Sequence, residues 1–472
     1  MEKIKLPGKP DYTRIYAAAV FVVLLYYLVK HVNEGLWYAI YCVYYLYLIP
    51  VLIAFSLYFK SFRKPLEVKL FILYWLWVYI SRLLNGDYFL TFDGAIVLDI
   101  GLGCVFLTAC VALSAKDRIC FLDWMSIAVS GYFTLVGLAA MYGVILQREL
   151  RNPLFYGELM GFEDLMYRLT VFGKSSNECV MWFFISFFLL IYLFVRKKNL
   201  LWRIALTLAG AVNYLCLTMT FSRNGRVAFS IGVALLAALW AMKRRPLKKM
   251  SAKILVTAAV VCVVLPVVYL GFNTAAKGVS LVSNFAVAAV GGNDLQEVQT
   301  DSGEGESAGE TPADTSLMYQ DERGLKDSGR LDIYKSIIPT MQKEPLRLLR
   351  GCLNQEIMSV ANTVLVKHKA HFHNTFLQVL SFTGLPGFML SLAFCLLLSV
   401  KIIKLYFSPA PLGMKVLSMI LVGSLVYNLL EVSLFYSADI RAFMFYILAG
   451  AVLAAYRDYV VVTPCEETRQ PA

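Results

Sequence analysis

The chain has 472 residues, of which 59% are apolar and only 16% charged, and its mean hydropathy is +0.64. Soluble domains carry about 25% charged residues, so this composition excludes an ordinary soluble enzyme. One helical span needs about 20 apolar residues, which leaves room for roughly a dozen spans and one sizeable loop. The net charge of +12 resides mainly in short basic clusters between apolar runs, not in the basic surface patch that a nucleic-acid partner requires. The ten cysteines are scattered, many inside apolar stretches such as those around Cys42, Cys104, Cys216, Cys262 and Cys395, with no CxxC pair. Such spacing is neither a disulfide framework nor a zinc site.

In chain order, a basic region from Lys3 to Arg14 precedes the first apolar run with no small-residue cleavage signature after it, and reads as a retained first span. Apolar runs bounded by charges or turn residues place twelve spans near 15–31, 36–59, 68–84, 92–114, 120–146, 179–195, 200–221, 227–242, 254–272, 375–400, 415–434 and 440–456. Orientation follows from the short loops, because Lys and Arg accumulate on the cytoplasmic side. Counted from a cytoplasmic N-terminus, the inner loops hold the clusters at 60–69, 116–118, 196–198, 243–253 and 401–415. The short outer connections hold only Lys30, Arg82, Arg223, Arg226 and Arg441, so both termini, including the tail 457–472, are expected inside.

Two outer segments are too long to be turns. Residues 147–178, between the fifth and sixth spans of the 1–272 part, mix charges, aromatics and Pro153 and are expected to include a short interfacial helix. Residues 273–374 form the large external loop, ahead of the last three spans in 375–456. Its stretch Gly291 to Glu322 has no Lys or Arg and is rich in Gly, Ser, Thr, Asp and Glu, which predicts a mobile acidic linker. Within 328–374, Leu331, Tyr334, Ile337, Ile338 and Met341 recur at helical spacing, giving an amphipathic helix interrupted near Pro339 and ended by Pro345.

Three of the four histidines, His368, His371 and His373, fall just before the tenth span, at the expected outer face. Imidazole is the side chain best suited to moving a proton near neutral pH. The alternative is a metal-binding or merely solvated loop, but the neighbours Lys367, Lys369 and Asn374 are not metal ligands, which disfavours a metal. A second cluster, Thr220-Phe-Ser-Arg-Asn-Gly-Arg226, is wedged between the seventh and eighth spans. Positive charge at an outer turn runs against the topological bias, so Arg223 and Arg226 either hold an anion in guanidinium forks or snorkel to headgroups. Arg323, Lys326, Arg330 and Arg168 lie on the same expected side and taken singly read as solvated charges. Asp99 and Glu431 fall within expected spans, where an ionised group needs a partner or a cavity, and each is a candidate partner for an arginine.

Ser222-Arg223-Asn-Gly225 at the end of a span resembles the Ser-Arg-x-Gly motif of the O-antigen ligase and Wzy polymerase superfamily. His373-Asn374-x-x-Leu377, followed by Gly384-Leu-Pro-Gly387, is similar to the His-Asn motif that ends the large external loop of that family. Ser328-Gly-Arg330, with the amphipathic helix and Pro345 to Gly351 after it, is similar to the segment supplying a second arginine. The resemblance covers about 165–395 and the twelve-span plan, and departs from the family at Pro345-Leu-Arg-Leu-Leu-Arg-Gly351 and at Thr383.

What this resemblance implies is an all-α polytopic membrane glycosyltransferase of the C-type, in a bacterial cytoplasmic membrane with its site on the outer side. It would move a glycan from undecaprenyl diphosphate to an acceptor sugar, inverting the anomeric carbon and using neither metal nor cofactor. Arg223 and Arg330, with Arg226 and Arg168, would hold the diphosphate. His373 would be the base assisted by His371, and Ser222 and Asn374 would support them. Its partners would be the lipid-linked donor, the glycan acceptor and the bilayer, with a chain-length regulator or a flippase beside it. A polymerase is expected over a ligase, since nothing in the chain identifies a lipid A core partner. The competing class is a transporter of lipid-linked oligosaccharide, which would line a central path with charges at several depths. Here the notable charges concentrate at one face.

Overall fold

The computed structural model describes residues 12–30, 65–86, 92–146, 150–151, 159–163, 168–171, 175–244, 247, 249–290, 345–352, 374–435 and 440–462. Its helices are α1 (Tyr12–Lys30), α2 (Leu66–Leu84), α3 (Phe92–Ala112), α4 (Ala115–Ile145), α5 (Ser176–Arg196), α6 (Leu200–Met219), α7 (Arg223–Arg244), α8 (Met250–Val290), the short α9 (Pro345–Arg350), α10 (Thr375–Phe407), α11 (Leu412–Asn428) and α12 (Ile440–Tyr456). Eleven of these coincide with expected spans; the second expected span, 36–59, lies outside the described residues. Among the described residues seven helices, α4 to α8, α10 and α12 with its π-helical extension Arg457–Val462, are long and apolar enough to cross a membrane. The chain is a polytopic membrane protein.

Local chemistry sets where these helices begin. Ser114 accepts from the Asp117 N–H at 3.2 Å, Ser175 from Glu178 at 3.4 Å, Asn199 from Leu201 at 2.9 Å and Asn374 from Leu377 at 3.0 Å. Each cap satisfies an N–H that the first helical turn cannot. Packing then depends on small residues, because lipid tails offer helices no hydrophobic reason to associate. On α7 a Cβ at Gly225 would stand 2.1 Å from Val180 and one at Gly232 would stand 2.5 Å from Phe188, both on α5. A Cβ at Gly423 of α11 would meet Phe184 of α5 at 2.2 Å. These approaches place α5 at the centre of the bundle, with Trp182, Phe183, Phe184 and Phe188 fully buried.

Helix α8 lies at the edge and exposes Leu255, Val263, Val267 and Leu270. It continues past the expected span end at 272 to Val290, since no breaker intervenes. Phe272, Ala276, Val279 and Ser283 are buried at helical spacing, and Ser283 Oγ lies 3.2 and 3.0 Å from the carbonyl oxygens of Val144 and Ile145. It thereby supplies a donor at the end of α4, where the last carbonyls run short of helical partners.

The outer segment 147–178 differs from its expected interfacial helix. Its described part forms an antiparallel three-stranded sheet of β1 (Leu150–Arg151), β2 (Leu159–Glu163) and β3 (Arg168–Thr170), paired Leu150 to Met160 and Phe162 to Leu169. Leu169 and Val171, two positions apart, are both buried, as residues on one face of an extended chain can be. Cys179 follows on α5 beneath this sheet, its thiol 3.9 Å from the Val171 carbonyl.

Two ends of the bundle can be told apart by their polar contacts. At one end Arg14 pairs with Asp117 at 3.0 Å, Arg118 with Asp458, Arg196 with Asp123 at 2.8 Å and Lys401 with Glu67 at 2.6 Å. These pairs join the starts of α1, α2 and α4 to the ends of α5, α10 and α12. At the other end Arg441 pairs with Glu178, joining the starts of α12 and α5. Helices α1 and α2 therefore run in the same direction, as they must if a span of opposite direction separates them in sequence.

Helix α10 is broken at Gly384, whose φ is 67° and ψ −173°. Pro386 carries no N–H, so main-chain carbonyls of the preceding turn lose helical donors. Their replacements come from elsewhere in the fold. The Cys352 N–H bonds Ser381 at 2.8 Å, the Ser81 hydroxyl and the Arg82 guanidinium bond Phe382, and the Trp77 indole bonds Thr383 at 2.7 Å. Segment 345–352 of the external loop is thus docked between α2 and the break. Pro345 opens α9 there, in the first-turn position where its missing N–H costs nothing. Asn85 and Arg82 donate to the carbonyls of Arg350 and Cys352, each at 3.1 Å, and Arg350 donates back to Leu84 at 3.0 Å.

Candidate functional site

The Ser222-Arg223-Asn224-Gly225 segment opens α7 after a connection of only two residues from the α6 cap Thr220. Phe221 takes a left-handed φ of 51°, a conformation that costs a non-glycine residue about 1–2 kcal/mol. Ser222 is buried, its main-chain carbonyl accepts from the Arg226 N–H at 3.0 Å, and its hydroxyl lies 3.4 Å from the Gly225 N–H in the manner of an N-cap. Gly225 is required by the approach to Val180. Serine and glycine of this motif therefore build the turn, and the two arginines are what the turn presents.

Those arginines differ. Arg223 is exposed at the first position of α7 and, among the described residues, has no hydrogen-bond or ion-pair partner. Arg226, one turn deeper, is 4% exposed. Its Nη1 donates to Asn273 Oδ1 of α8 at 3.0 Å, and its guanidinium lies 5.4 Å from the Phe221 ring centroid and 5.5 Å from that of Phe272. Among the described residues its Nε and Nη2 have no hydrogen-bond partner, and no carboxylate pairs with it. A buried cation without a counter-charge is costly by several kcal/mol, and the N-terminal end of α7 adds partial positive charge to it. Buried positive charge at a helix N-terminus is suited to an anion.

The described part of the second motif, from Asn374 on, lies at the same end. Asn374 caps α10, and its Nδ2 donates to the Leu429 carbonyl at 2.8 Å. Thr375 donates its N–H to the Glu431 carbonyl at 3.1 Å. Asn224 of the first motif reaches the same link, with its Nδ2 3.3 Å from the Leu430 carbonyl and 3.4 Å from Glu431 Oε1. Residues 222–225 and 374–375, about 150 positions apart in sequence, thus share the short connection between α11 and α12.

Among the other expected site residues, Arg168 has its main chain on β3, paired with Glu163. His371, His373 and Arg330 lie outside the described residues, as do His368, Arg323, Lys326 and the helix expected over 331–341. Glu431 stands beyond the end of α11 at Asn428, not inside a span, and accepts a hydrogen bond from Asn177. Sequence reasoning missed Asn273, which anchors Arg226; the signal available was a polar side chain at the edge of an apolar run. It also missed the role of Asn224, the variable position of its motif. Surface cavities of about 410 and 280 Å³ open beside Arg196 at the opposite end, away from all of these residues.

Residues 206–392 match the family model described as O-antigen ligase. Over this stretch, which is less than half of the chain, the sequence is similar to the O-antigen ligase family. The matched stretch runs from within α6 to within α10 and so contains Ser222 to Arg226, the whole external loop, Asn374 and the break at Gly384. No match was found among curated proteins or among solved structures. The match supports a membrane enzyme of polysaccharide assembly, of the ligase or polymerase kind.

Proposed function

We propose that this protein transfers a glycan from undecaprenyl diphosphate to an acceptor sugar hydroxyl at the outer face of a bacterial cytoplasmic membrane, and acts as a polysaccharide polymerase. The observation that carries the reading is the buried Arg226 guanidinium, unpaired on two of its nitrogens one turn below the exposed Arg223. A diphosphate would supply the missing counter-charge. As leaving group it accumulates charge when the bond from its oxygen to the anomeric carbon breaks, and fixed guanidinium donors stabilise that charge without a metal. Arg330 and Arg168 would complete the anchor.

In the same step the acceptor oxygen bonds to the anomeric carbon from the opposite side, inverting it. The acceptor proton passes to His373, with His371 assisting, and the electron pair of the broken bond departs on undecaprenyl diphosphate. Asn374, next to His373 in sequence, caps the helix that follows.

The test is purified protein in lipid with a synthetic undecaprenyl-diphosphate donor, with and without EDTA. His373→Ala should abolish transfer by about 10²–10⁴-fold while donor still binds. Arg223→Ala should weaken binding and transfer together, with poor rescue by Lys, which lacks the guanidinium fork. Full activity in the His373 variant, or activity lost to EDTA and restored by a divalent cation, would sink the mechanism. In a deletion strain, single repeat units on lipid support polymerase; long lipid-linked chains lacking an acceptor would reassign the protein as a ligase.

A further inference from the structure

The connection between α11 and α12 carries a carboxylate that the reading above leaves unused. Glu431 is 3% exposed. Its Oε1 accepts from Asn177 Nδ2 at 2.9 Å and lies 3.4 Å from Asn224 Nδ2, while its main-chain carbonyl accepts from the Thr375 N–H at 3.1 Å. These donors belong to the first turns of α5, α7 and α10. One residue therefore bonds three helix N-terminal turns, of which α7 begins with Arg223 and α10 begins two residues after His373. Adjacent bonds reinforce the link. Tyr427 donates its hydroxyl to the Asn177 carbonyl, and Thr375 Oγ1 meets Asn428 Oδ1 at 2.5 Å. Asn177 and Glu431 both lie outside the matched stretch 206–392.

We propose that Glu431 is a positioning residue, holding the arginine-bearing turn of α7 in register with the base-bearing start of α10. The inference rests on the transferase reading above. Inverting displacement needs the diphosphate anchor and the base on opposite sides of one carbon, and a misplacement of about 1 Å can cost on the order of 10²-fold in rate. These turns are remote in sequence, so the relative placement of anchor and base depends on what bonds both. An ionised acceptor suits that role. Its hydrogen bonds are roughly twice as strong as neutral ones, and the positive ends of three helices favour a carboxylate there. A link needed only to reverse the chain has no use for a buried carboxylate, which is costly to desolvate.

The experiment uses the full chain purified in lipid, with the undecaprenyl-diphosphate donor, and compares Glu431→Ala, Glu431→Gln, Asn224→Ala and the double variant Glu431→Ala/Asn224→Ala. The expected result is kcat lowered about 10–100-fold in Glu431→Ala, with donor KM within about twofold of the wild type because Arg223 and Arg226 remain. The double variant should lose no more than its worse single, the non-additivity of two groups serving one contact. Glu431→Gln keeps the side-chain shape and an acceptor oxygen, and should fall between Ala and wild type; it carries the test if Glu431→Ala does not fold. Wild-type kcat in a folded variant, a KM change alone, or losses that multiply in the double variant would overturn the assignment. Active wild type, inactive His373→Ala and a fully active Glu431→Ala would remove Glu431 only. A wild-type protein unable to use this donor would remove the transferase reading and this inference with it.

Discussion

At the scale of single residues, Arg226 holds the sharpest conflict between stability and function. Its guanidinium is held by Asn273 and flanked by the rings of Phe221 and Phe272, with two nitrogens unbonded. If folding alone had shaped the position, an apolar side chain of similar length would serve better, because exchanging buried charges for well-packed apolar groups is neutral or stabilising by about 1–4 kcal/mol in measured cases. Arg226→Met should therefore leave the thermal midpoint unchanged or raised, while transfer falls by about 10²-fold, the usual loss for one electrostatic stabiliser. A lower midpoint with unaltered transfer would make Arg226 a structural residue. Neighbouring Ser222 and Asn374 act differently, since each caps the helix that its motif opens. Loss of such a cap typically costs about 1 kcal/mol.

At the scale of elements, two close approaches decide where the motifs end up. Gly225 lets α7 settle against α5, and Ala there would drive a Cβ to 2.1 Å from Val180. We expect Gly225→Ala to lower stability and activity together, by about 1–3 kcal/mol for overpacking. Val180→Ala in the same chain should restore much of both, read from thermal midpoints and transfer rates in a double-mutant cycle. The second approach joins α9 to the break in α10. A Cβ at Gly384 would lie 2.3 Å from the Leu349 carbonyl, and one at Gly351 would lie 2.4 Å from the main chain of Phe382. Both glycines also have φ near +70°, so neither position accepts a side chain without strain. Here the obstacle is main chain, which cannot swing aside. Gly384→Ala should undock segment 345–352 and expose Cys352, whose side chain is fully buried in the native fold. Alkylation mapped by mass spectrometry would then find Cys352 modified in the variant and protected in the wild type, with the exposed Cys120 and Cys262 as internal references. Equal protection in both proteins would show that the docking survives.

At the scale of the molecule, helix direction sorts the chain's chemistry to two ends. Starts of α1, α2 and α4 share one end with the ion pairs of Asp117, Asp123 and Glu67, and starts of α5, α7, α10 and α12 share the other with the candidate site. Lys69, Arg196 to Lys198, and Lys243, Arg244, Lys249 and Lys253 lie toward the ion-paired end, and we propose from the positive-inside bias that this end faces the cytoplasm. On a cysteine-free background in intact cells, thiols introduced near 300 and 370 should label from outside, and one at Leu247 should stay protected. Labelling of 247 from outside would invert the topology and move the site to the cytoplasm.

Sequence alone determined the membrane character, the direction of successive spans and the two motifs. Hydropathy and the sidedness of Lys and Arg are local properties, written in runs of about 20 residues and in the charges flanking them. Ser222 to Arg226 and Asn374 were legible for a similar reason: each combines a helix cap with charged or ring side chains at an apolar boundary. Period-two burial of Leu169 and Val171 was present in the same letters, but a few alternating residues among charges do not separate strand from interfacial helix until the partner strand is known. What only tertiary structure decided is which remote groups meet. Burial split Arg223 from Arg226, although both are arginines of one turn, because Phe272 and Asn273 reach the second from another helix. Glu431, read from sequence as a charge inside a span, became the residue that bonds three helix starts. Pairing across the bundle depends on how closely helices approach, and that is set by glycines such as Gly225 and Gly423 acting on side chains of α5, contacts that no local pattern in the chain encodes.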